Sequence, residues 1–511
     1  MLAWFAVPLS GTYVYNGEFT FVRRVLSSIR DHIITYVIMG SVGSVALIGL
    51  IVYIVVTNKY ATTKIDLSFQ MIAGIGQCLS ASFGLLIMIC LLGYGIVDIP
   101  RYLWQQADMK RSLTYIEFQA VKMDDAVNDS ESALKEVLCD VQAYDEKVPA
   151  DHALRPFVDM ILKTCEKEFE YMRVRSTVLK PEDIETLKRS KLAQLHKRLK
   201  RAIATYYRCK YNWEYWQERA FFLQDVLDSI DHSSSQRKID TPFRKQRTGI
   251  RASLFNIPEF YWYKYFRKVV MRSMAILFIP FAIVLMYCEF TPLFLFVIPK
   301  KKDNLHLSIF YHLIHALVNF RPLLQIVSLV IIGLMAFTAV FALFRIEVYS
   351  LYQLIPHHTD VGSILYTSVF LGRVCPSLCY NFLQMVGVTS KDSVAYYQIM
   401  GTLKLDGLKE IGSTLVSRPT IVQIVGGGFV NFFPLLLFVI ALLNLFNVPS
   451  YIGVLFGRAR FNFNPSSADQ LTVEGREVLA KTRKRRMTLL EREAKSFSDL
   501  QSLDLVNPSF E

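Results

Sequence analysis

The sequence predicts an all-α fold: a polytopic transmembrane helix bundle carrying a large cytosolic coiled-coil insert. Three observations point there. Hydrophobic residues make up 52% of the 511, mean hydropathy is +0.29 and only 20% of residues are charged, which is too apolar for a soluble chain of this length. Several windows exceed the roughly 18 apolar residues needed to cross a hydrocarbon core of about 30 Å. Most of the charge lies in residues 98–273, between apolar blocks at 1–97 and 274–446.

The first block, 1–97, reads as an N-terminal transmembrane half with spans at Leu2–Tyr15 (partial), Ile33–Val56 and Met71–Val97. Its opening, Met-Leu-Ala-Trp-Phe-Ala-Val-Pro, has no basic n-region and no convincing cleavage site, so it reads as the second half of a cut helix. Asp98, Pro100 and Arg101 close the third span and form a boundary device.

Residues 98–273 form the insert. Leu113, Ile116, Ala120, Met123, Val127, Ser130, Leu134, Val137, Val141 and Tyr144 keep a 3, 4 spacing, the a/d rhythm of a coiled coil. A second run from Leu192 to Ile230 keeps the same rhythm. At about 1.5 Å per residue such arms reach roughly 45 to 60 Å. Arg111 to Glu170 carries 7 basic and 14 acidic residues, whereas Tyr171 to Arg219 carries 13 basic and 5 acidic. Arms of opposite sign favour an antiparallel hairpin over a parallel homodimer, which would oppose like charges. The insert returns to the bilayer through a basic and aromatic segment in which Trp262, Lys264, Arg267, Lys268 and Arg272 read as a lipid-interface anchor.

The C-terminal half, 274–446, holds four spans: Met274–Val297, Leu323–Phe344, Ile364–Met385 and Ile421–Leu445. A charged tail, 447–511, follows, with a helix in 468–493 and disorder expected from Ser496. The positive-inside rule puts the insert, Arg23, Arg24, Arg30 and the tail run Lys481–Arg486 in the cytosol, against Lys300, Lys301 and Lys302 on the outer side. The same rule accounts for the net charge of +13, so nucleic acid is not an expected partner. Eight cysteines without a CxxC pair imply reduced thiols and no disulfide framework.

No P-loop, GxSxG, HExxH or kinase signature appears, so the expectation is a non-enzymatic protein without a cofactor, a catalytic residue or a metal site. Gly426, Gly427 and Gly428 open a span and suit close helix packing. His357, His358 and Asp360 form a candidate inner-loop site, but adjacent histidines cannot share a helical face and no fourth zinc ligand is visible, which favours hydrogen bonding. His306, His312 and His315, on the outer side, include an i, i+3 pair with metal-ligand geometry, but an amphipathic helix on the membrane surface explains them equally well. Arg373, Pro376 and Asn381 are the candidate intramembrane polar site. A cation in a span costs roughly 2.5 to 3.5 kcal/mol on insertion scales and normally faces a partner. Glu289 and Glu347 are candidates by residue type, and a polar substrate is the functional alternative.

Three stretches carry a resemblance. Leu91-Leu92-Gly93-Tyr94-Gly95-Ile96-Val97-Asp98-Ile99-Pro100-Arg101 closes a span; Pro356-His357-His358-Thr359-Asp360 precedes Leu371-Gly372-Arg373-Val374-Cys375-Pro376-Ser377-Leu378-Cys379-Tyr380-Asn381-Phe382-Leu383; and Val473-Glu474-Gly475-Arg476-Glu477 starts the tail helix. Together they resemble the limb region 1, or lipocalin-interacting membrane receptor, family, and most closely its limb-region-1-domain-containing protein 2 branch. The resemblance implies a nine-span plan with a cytosolic coiled coil after the fifth span, of which this chain would begin near the third. It also implies roles as a lipocalin receptor, as the partner of a lysosomal cobalamin exporter or, in the second branch, in G-protein-coupled (adrenergic-type) receptor signalling at the plasma membrane.

The expected function is therefore a receptor-like or scaffold protein that touches the lipid bilayer, binds protein partners through the 113–230 coiled coil and has a G-protein-coupled receptor among its candidate partners. A transporter or lipid-translocating protein working around Arg373 is the alternative.

Overall fold

The computed structural model describes residues 5–38, 69–172, 188–231, 239, 241–244, 250–297, 307–345, 359–387, 429–446, 448 and 469–506. All regular structure among them is helical. In chain order the helices are α1 (Val7–Val14), α2 (21–38), α3 (Phe69–Gln106), α4 (Met109–Lys147), α5 (Arg155–Met172), α6 (Arg189–Asp231) and α7 (Ile250–Tyr261). A π-helical turn, Trp262–Phe266, leads into α8 (Arg267–Val297), α9 (Ile309–Ala316), α10 (Arg321–Arg345), α11 (Val361–Val386), α12 (Phe429–Leu445) and α13 (Asp469–Val506).

Among the described residues, four stretches are long and apolar enough to cross a membrane: Gly84–Gln106, Phe255–Thr291, Arg321–Arg345 and Val361–Val386, with a shorter apolar helix at Leu435–Leu445. Four of the seven expected spans thus have full-length counterparts here and the last has a shorter one. The first corresponds to the eight-residue α1, and most of the second, Ile33–Val56, lies outside the described residues. Helix α3 is the centre, packed against α8, α10, α11 and α12. Leu85, Met88 and Leu92 of α3, Leu285 of α8, Met335 and Ala339 of α10, Leu378 of α11 and Leu437 of α12 share one buried cluster.

The Leu91–Arg101 stretch explains how α3 holds two of its neighbours. A Cβ on Gly93 would lie 2.8 Å from the Leu437 carbonyl oxygen, and one on Gly95 would lie 2.5 Å from that of Thr338. Each glycine lets a different helix backbone approach, which is how spans associate where lipid and protein are equally apolar. Further along, buried Asp98 accepts from Arg345 Nε at 3.1 Å, and the Arg345 guanidinium lies over the Tyr102 ring at 4.8 Å. Arg101 Nη2 donates to the carbonyls of Asn444 and Leu445 at 2.8 and 3.0 Å, capping the C-terminus of α12 where acceptors lack helical partners. The boundary residues read from sequence therefore join three helices.

The insert differs from a free two-armed coiled coil. Helices α4 and α6 do pack antiparallel. Leu134, Val137, Leu138 and Val141 meet Leu192, Leu195 and Leu199, while Ile116 and Ala120 meet Trp213, Ala220 and Leu223. Two other helices join them: α5 closes one end through Val158, Ile161 and Cys165, and tail helix α13 lies along α4. The seam holds chiefly by apolar burial, at about 25 cal/mol per Å². Two ion pairs between the arms, Lys110–Asp231 at 3.7 Å and Arg198–Asp140 at 3.4 Å, lie at the solvent-facing edge and are of small weight.

Helix α13 also runs on to Val506, past the point where the sequence suggested disorder. No glycine or proline interrupts the chain between Gly475 and Pro508, and that continuity lets a polar helix extend.

Candidate functional site

Residues 359–387 bring Asp360, Arg373, Pro376 and Asn381 into one element. Asp360 caps α11, its Oδ2 accepting from the Gly362 amide at 3.1 Å. The same oxygen accepts from Tyr15 Oη at 2.5 Å and from Arg208 Nη2 at 3.1 Å. One carboxylate thus ties the end of a span to the segment after α1 and to the middle of α6. The side chains of this ion pair are 11% exposed for Arg208 and 23% for Asp360, so it is shielded from solvent. His357 and His358 lie outside the described residues. Among the described residues no group of three or more side chains has metal-ligating geometry. His312 and His315 sit on α9, where the His315 ring stacks on Tyr311 at 5.7 Å.

Sequence reasoning did not find the segment that accompanies Tyr15. Residues 16–31 dock on α5 and α6. Gly17 presses so closely that a Cβ would fall 1.9 Å from the Ala193 carbonyl oxygen. Phe19 stacks on His196 and lies against Phe157, Glu18 pairs with Arg189 at 3.3 Å, and Asp31 pairs with Lys197 at 2.7 Å. The only local sign was the alternation of Glu18 and Asp31 with arginines, which the topology rule alone absorbed.

Buried His196 donates from Nδ1 to the Gly17 carbonyl at 2.9 Å, with Thr164 Oγ1 3.5 Å from Nε2. Burial, then the positive charge of Lys200, holds its imidazole down to about 4, against the pull of the Gly17 carbonyl, with Arg24 adding a smaller push. The folded site therefore binds fewer protons than the unfolded chain, whose imidazole titrates near 6.5. Its stabilising contribution is complete above about pH 6.5 and is lost as pH falls toward 4. At pH 5 the loss is about 2 kcal/mol. Hydrogen exchange of residues 16–31, corrected for intrinsic rates, is expected to speed up between pH 7.5 and 5. His196→Gln should remove most of that difference.

The tail helix makes the third junction. A Cβ on Gly475 would lie 1.8 Å from the Glu117 carbonyl oxygen, so only glycine allows α13 this close to α4. Arg476 then forms a two-pronged pair with Glu117, Nε at 3.0 Å and Nη2 at 3.1 Å, and Arg483 pairs with buried Asp225. Leu479 is buried against Ile116 and Ala120. The Val473–Glu477 stretch is thus a docking surface. Gly475→Ala is expected to weaken tail docking by about 1 to 3 kcal/mol. Exchange should then rise in 469–487 while the spans keep their protection.

The intramembrane residues differ from the expected pairing. Glu289, fully buried in α8, accepts from Asn381 Nδ2 and is not the partner of Arg373; Glu347 lies outside the described residues. At about 1.5 Å per residue, Asn381 stands roughly 32 Å along α11 from Asp360, and Arg373 roughly 20 Å. The Glu289–Asn381 bond therefore sits at the far end of the span, and Arg373 near its middle. Tyr36 and Tyr366 are the phenols in the electrostatic surroundings of Arg373. Pro376 is accommodated within a continuous α11. An open apolar cleft of about 580 Å³ between α1 and α2 is lined by Phe5, Leu9, Ile29, Ile33 and Val37, with His32 and Tyr36 as its polar groups.

Of the basic and aromatic segment, Trp262 and Lys268 are exposed, and Lys264 lies over the Phe260 and Tyr265 rings at 5.4 Å. Arg272 covers the Trp104 ring at 5.1 Å. Arg267 departs from the anchor reading: it is 9% exposed and donates to Gln106 Oε1 at 3.4 Å. That oxygen also accepts from Arg219 at 3.0 Å, so Arg267 fastens α8 to the α3–α4 junction.

An all-α integral membrane protein, whose spans carry a helical bundle built from insert, tail and N-terminal segment on one side, is the class that this fold and these junctions define. The chain belongs to the LMBR1-like membrane protein family, whose profile matches residues 1–449. It is 26% identical over 490 residues to the LMBR1 domain-containing protein 2 homolog A of Dictyostelium discoideum, covering 95% of this chain and 61% of that protein. It is 25% identical over 503 residues to the G-protein coupled receptor-associated protein LMBRD2 of Homo sapiens, covering 95% of this chain and 67% of that protein. Against the protein of the same name from Gallus gallus the identity is 25% over 502 residues, with 95% and 68% covered. These matches place it with the domain-containing protein 2 branch. No solved structure matches the chain.

Proposed function

We propose that the protein is a non-catalytic membrane scaffold that associates with G-protein-coupled receptors at the plasma membrane, with its insert and tail in the cytosol as the contact surface. The observation that carries this reading is the Asp360 junction: a bundle joined to a span by Arg208 and Tyr15 can pass a change at its surface to the membrane helices. The names of the vertebrate relatives supply the receptor as partner class. The test is recovery of an adrenergic-type receptor with the full chain from solubilised plasma membranes. Deleting 113–230 is expected to abolish recovery, and unchanged recovery would remove the insert from the interaction.

A second reading, lipid translocation, is favoured by one observation: Tyr36 borders both the apolar cleft and the surroundings of Arg373. Lipid flux in reconstituted vesicles that disappears with Arg373→Ala would support it. Flux equal to that of empty vesicles would end it.

A further inference from the structure

We propose that Thr488 of the tail helix is a phosphorylation site for an arginine-directed protein kinase, and that docking of the tail on the insert controls its modification. The stretch Lys484-Arg485-Arg486-Met487-Thr488 puts basic side chains two, three and four residues ahead of an exposed hydroxyl. Kinases of this class recognise arginines two and three residues before the acceptor through acidic side chains of their own, so charge spacing sets the choice of substrate.

The docked tail withholds that pattern. Arg486 donates to Glu218 at 2.7 Å and lies over the Phe243 ring at 5.7 Å, so a kinase must compete with the insert for it. Thr488 Oγ1 donates to the Lys484 carbonyl at 3.0 Å within the helix, whereas kinases take their substrates extended. Opening here is inexpensive. The Arg486–Glu218 pair is solvent-exposed, and Leu489 and Leu490, which follow Thr488, are exposed as well. The stronger tethers, Arg476 on Glu117 and Arg483 on Asp225, lie N-terminal to the site and can hold while the end frays.

In the transfer, Thr488 Oγ1 bonds to the γ-phosphorus of ATP, the bond to the β,γ-bridging oxygen breaks and ADP leaves. The hydroxyl proton passes to the kinase's catalytic carboxylate. The product gains about −1.5 to −2 charge beside Lys484, Arg485 and Arg486, and competes with Glu218 for Arg486, which favours the undocked tail.

The proposal rests on the cytosolic placement of the tail, but purified protein exposes both faces, so the test is independent of topology. The full chain in lipid nanodiscs is treated with the catalytic subunit of an arginine-directed kinase and ATP labelled on its γ-phosphate, and sites are read by mass spectrometry. Labelling of Thr488 is expected, falling at least tenfold in R485A/R486A. It should rise severalfold in Glu218→Gln at an unchanged unfolding temperature. No label on Thr488 even in Glu218→Gln, or label indifferent to the arginines, overturns the site. Equal rates in wild type and Glu218→Gln overturn the control by docking.

Discussion

Asp98→Ala is expected to destabilise the folded membrane half by about 3 kcal/mol, because it leaves Arg345 at a helix interface without its carboxylate. The acid is buried and bonded to Arg345 at 3.1 Å, and the same turn of α3 sends Arg101 to the end of α12. Removing one partner of such a pair costs more than the pair contributes, since the remaining charge keeps its desolvation penalty. Asp98→Asn retains an acceptor and should lose less. Unfolding of the detergent-solubilised protein measures both, and a change below about 0.5 kcal/mol for the alanine variant would mean that the pair carries no structural weight.

Asp360→Ala should cost about 2.5 to 4 kcal/mol: about 1 for the α11 cap and about 1.5 to 3 for the charge-assisted bond to Arg208, and it also removes the acceptor for the Tyr15 hydroxyl. Its distinguishing effect is spatial. Exchange should increase together in residues 15–31, in the middle of α6 and in the first turn of α11, segments far apart in sequence that meet at one oxygen. Loosening confined to α11 would show that Asp360 acts only as a helix cap.

Much of this architecture was legible in the sequence. Apolar runs located four of the seven expected spans and a shorter counterpart of the last; the heptad rhythm of Leu113–Tyr144 and Leu192–Ile230 located the two long insert helices, and the opposite charge of the arms suggested their antiparallel packing. The rhythm could not show that α5 and α13 share the same bundle. A helix that is polar almost all round, as α13 is, carries no strong periodic stripe, and its docking depends on Gly475 and two arginines.

The polar sites were partly legible. Arg373 and Asn381 were visible as polar residues in an apolar run. Their partners were not, because the depth of Glu289 on α8 against Asn381 on α11 is fixed by helix packing, and residue type alone pointed to Arg373. Asp360 stood out beside His357 and His358, but its actual partners come from residues 15 and 208, a separation no local pattern encodes. Asp98, Pro100 and Arg101 read in the sequence as a boundary device. The structure adds that Gly93, Gly95, Asp98 and Arg101 each meet a particular neighbour.

The bundle of insert, tail and N-terminal segment is joined to the membrane helices through Asp360 and Arg208. A double-mutant cycle on the full chain, using Arg208→Ala, Asp360→Asn and the pair together, measures that junction most directly. A coupling of at least about 1 kcal/mol is expected, with the double variant little worse than either single one. Strict additivity, with a coupling below about 0.3 kcal/mol, would contradict it.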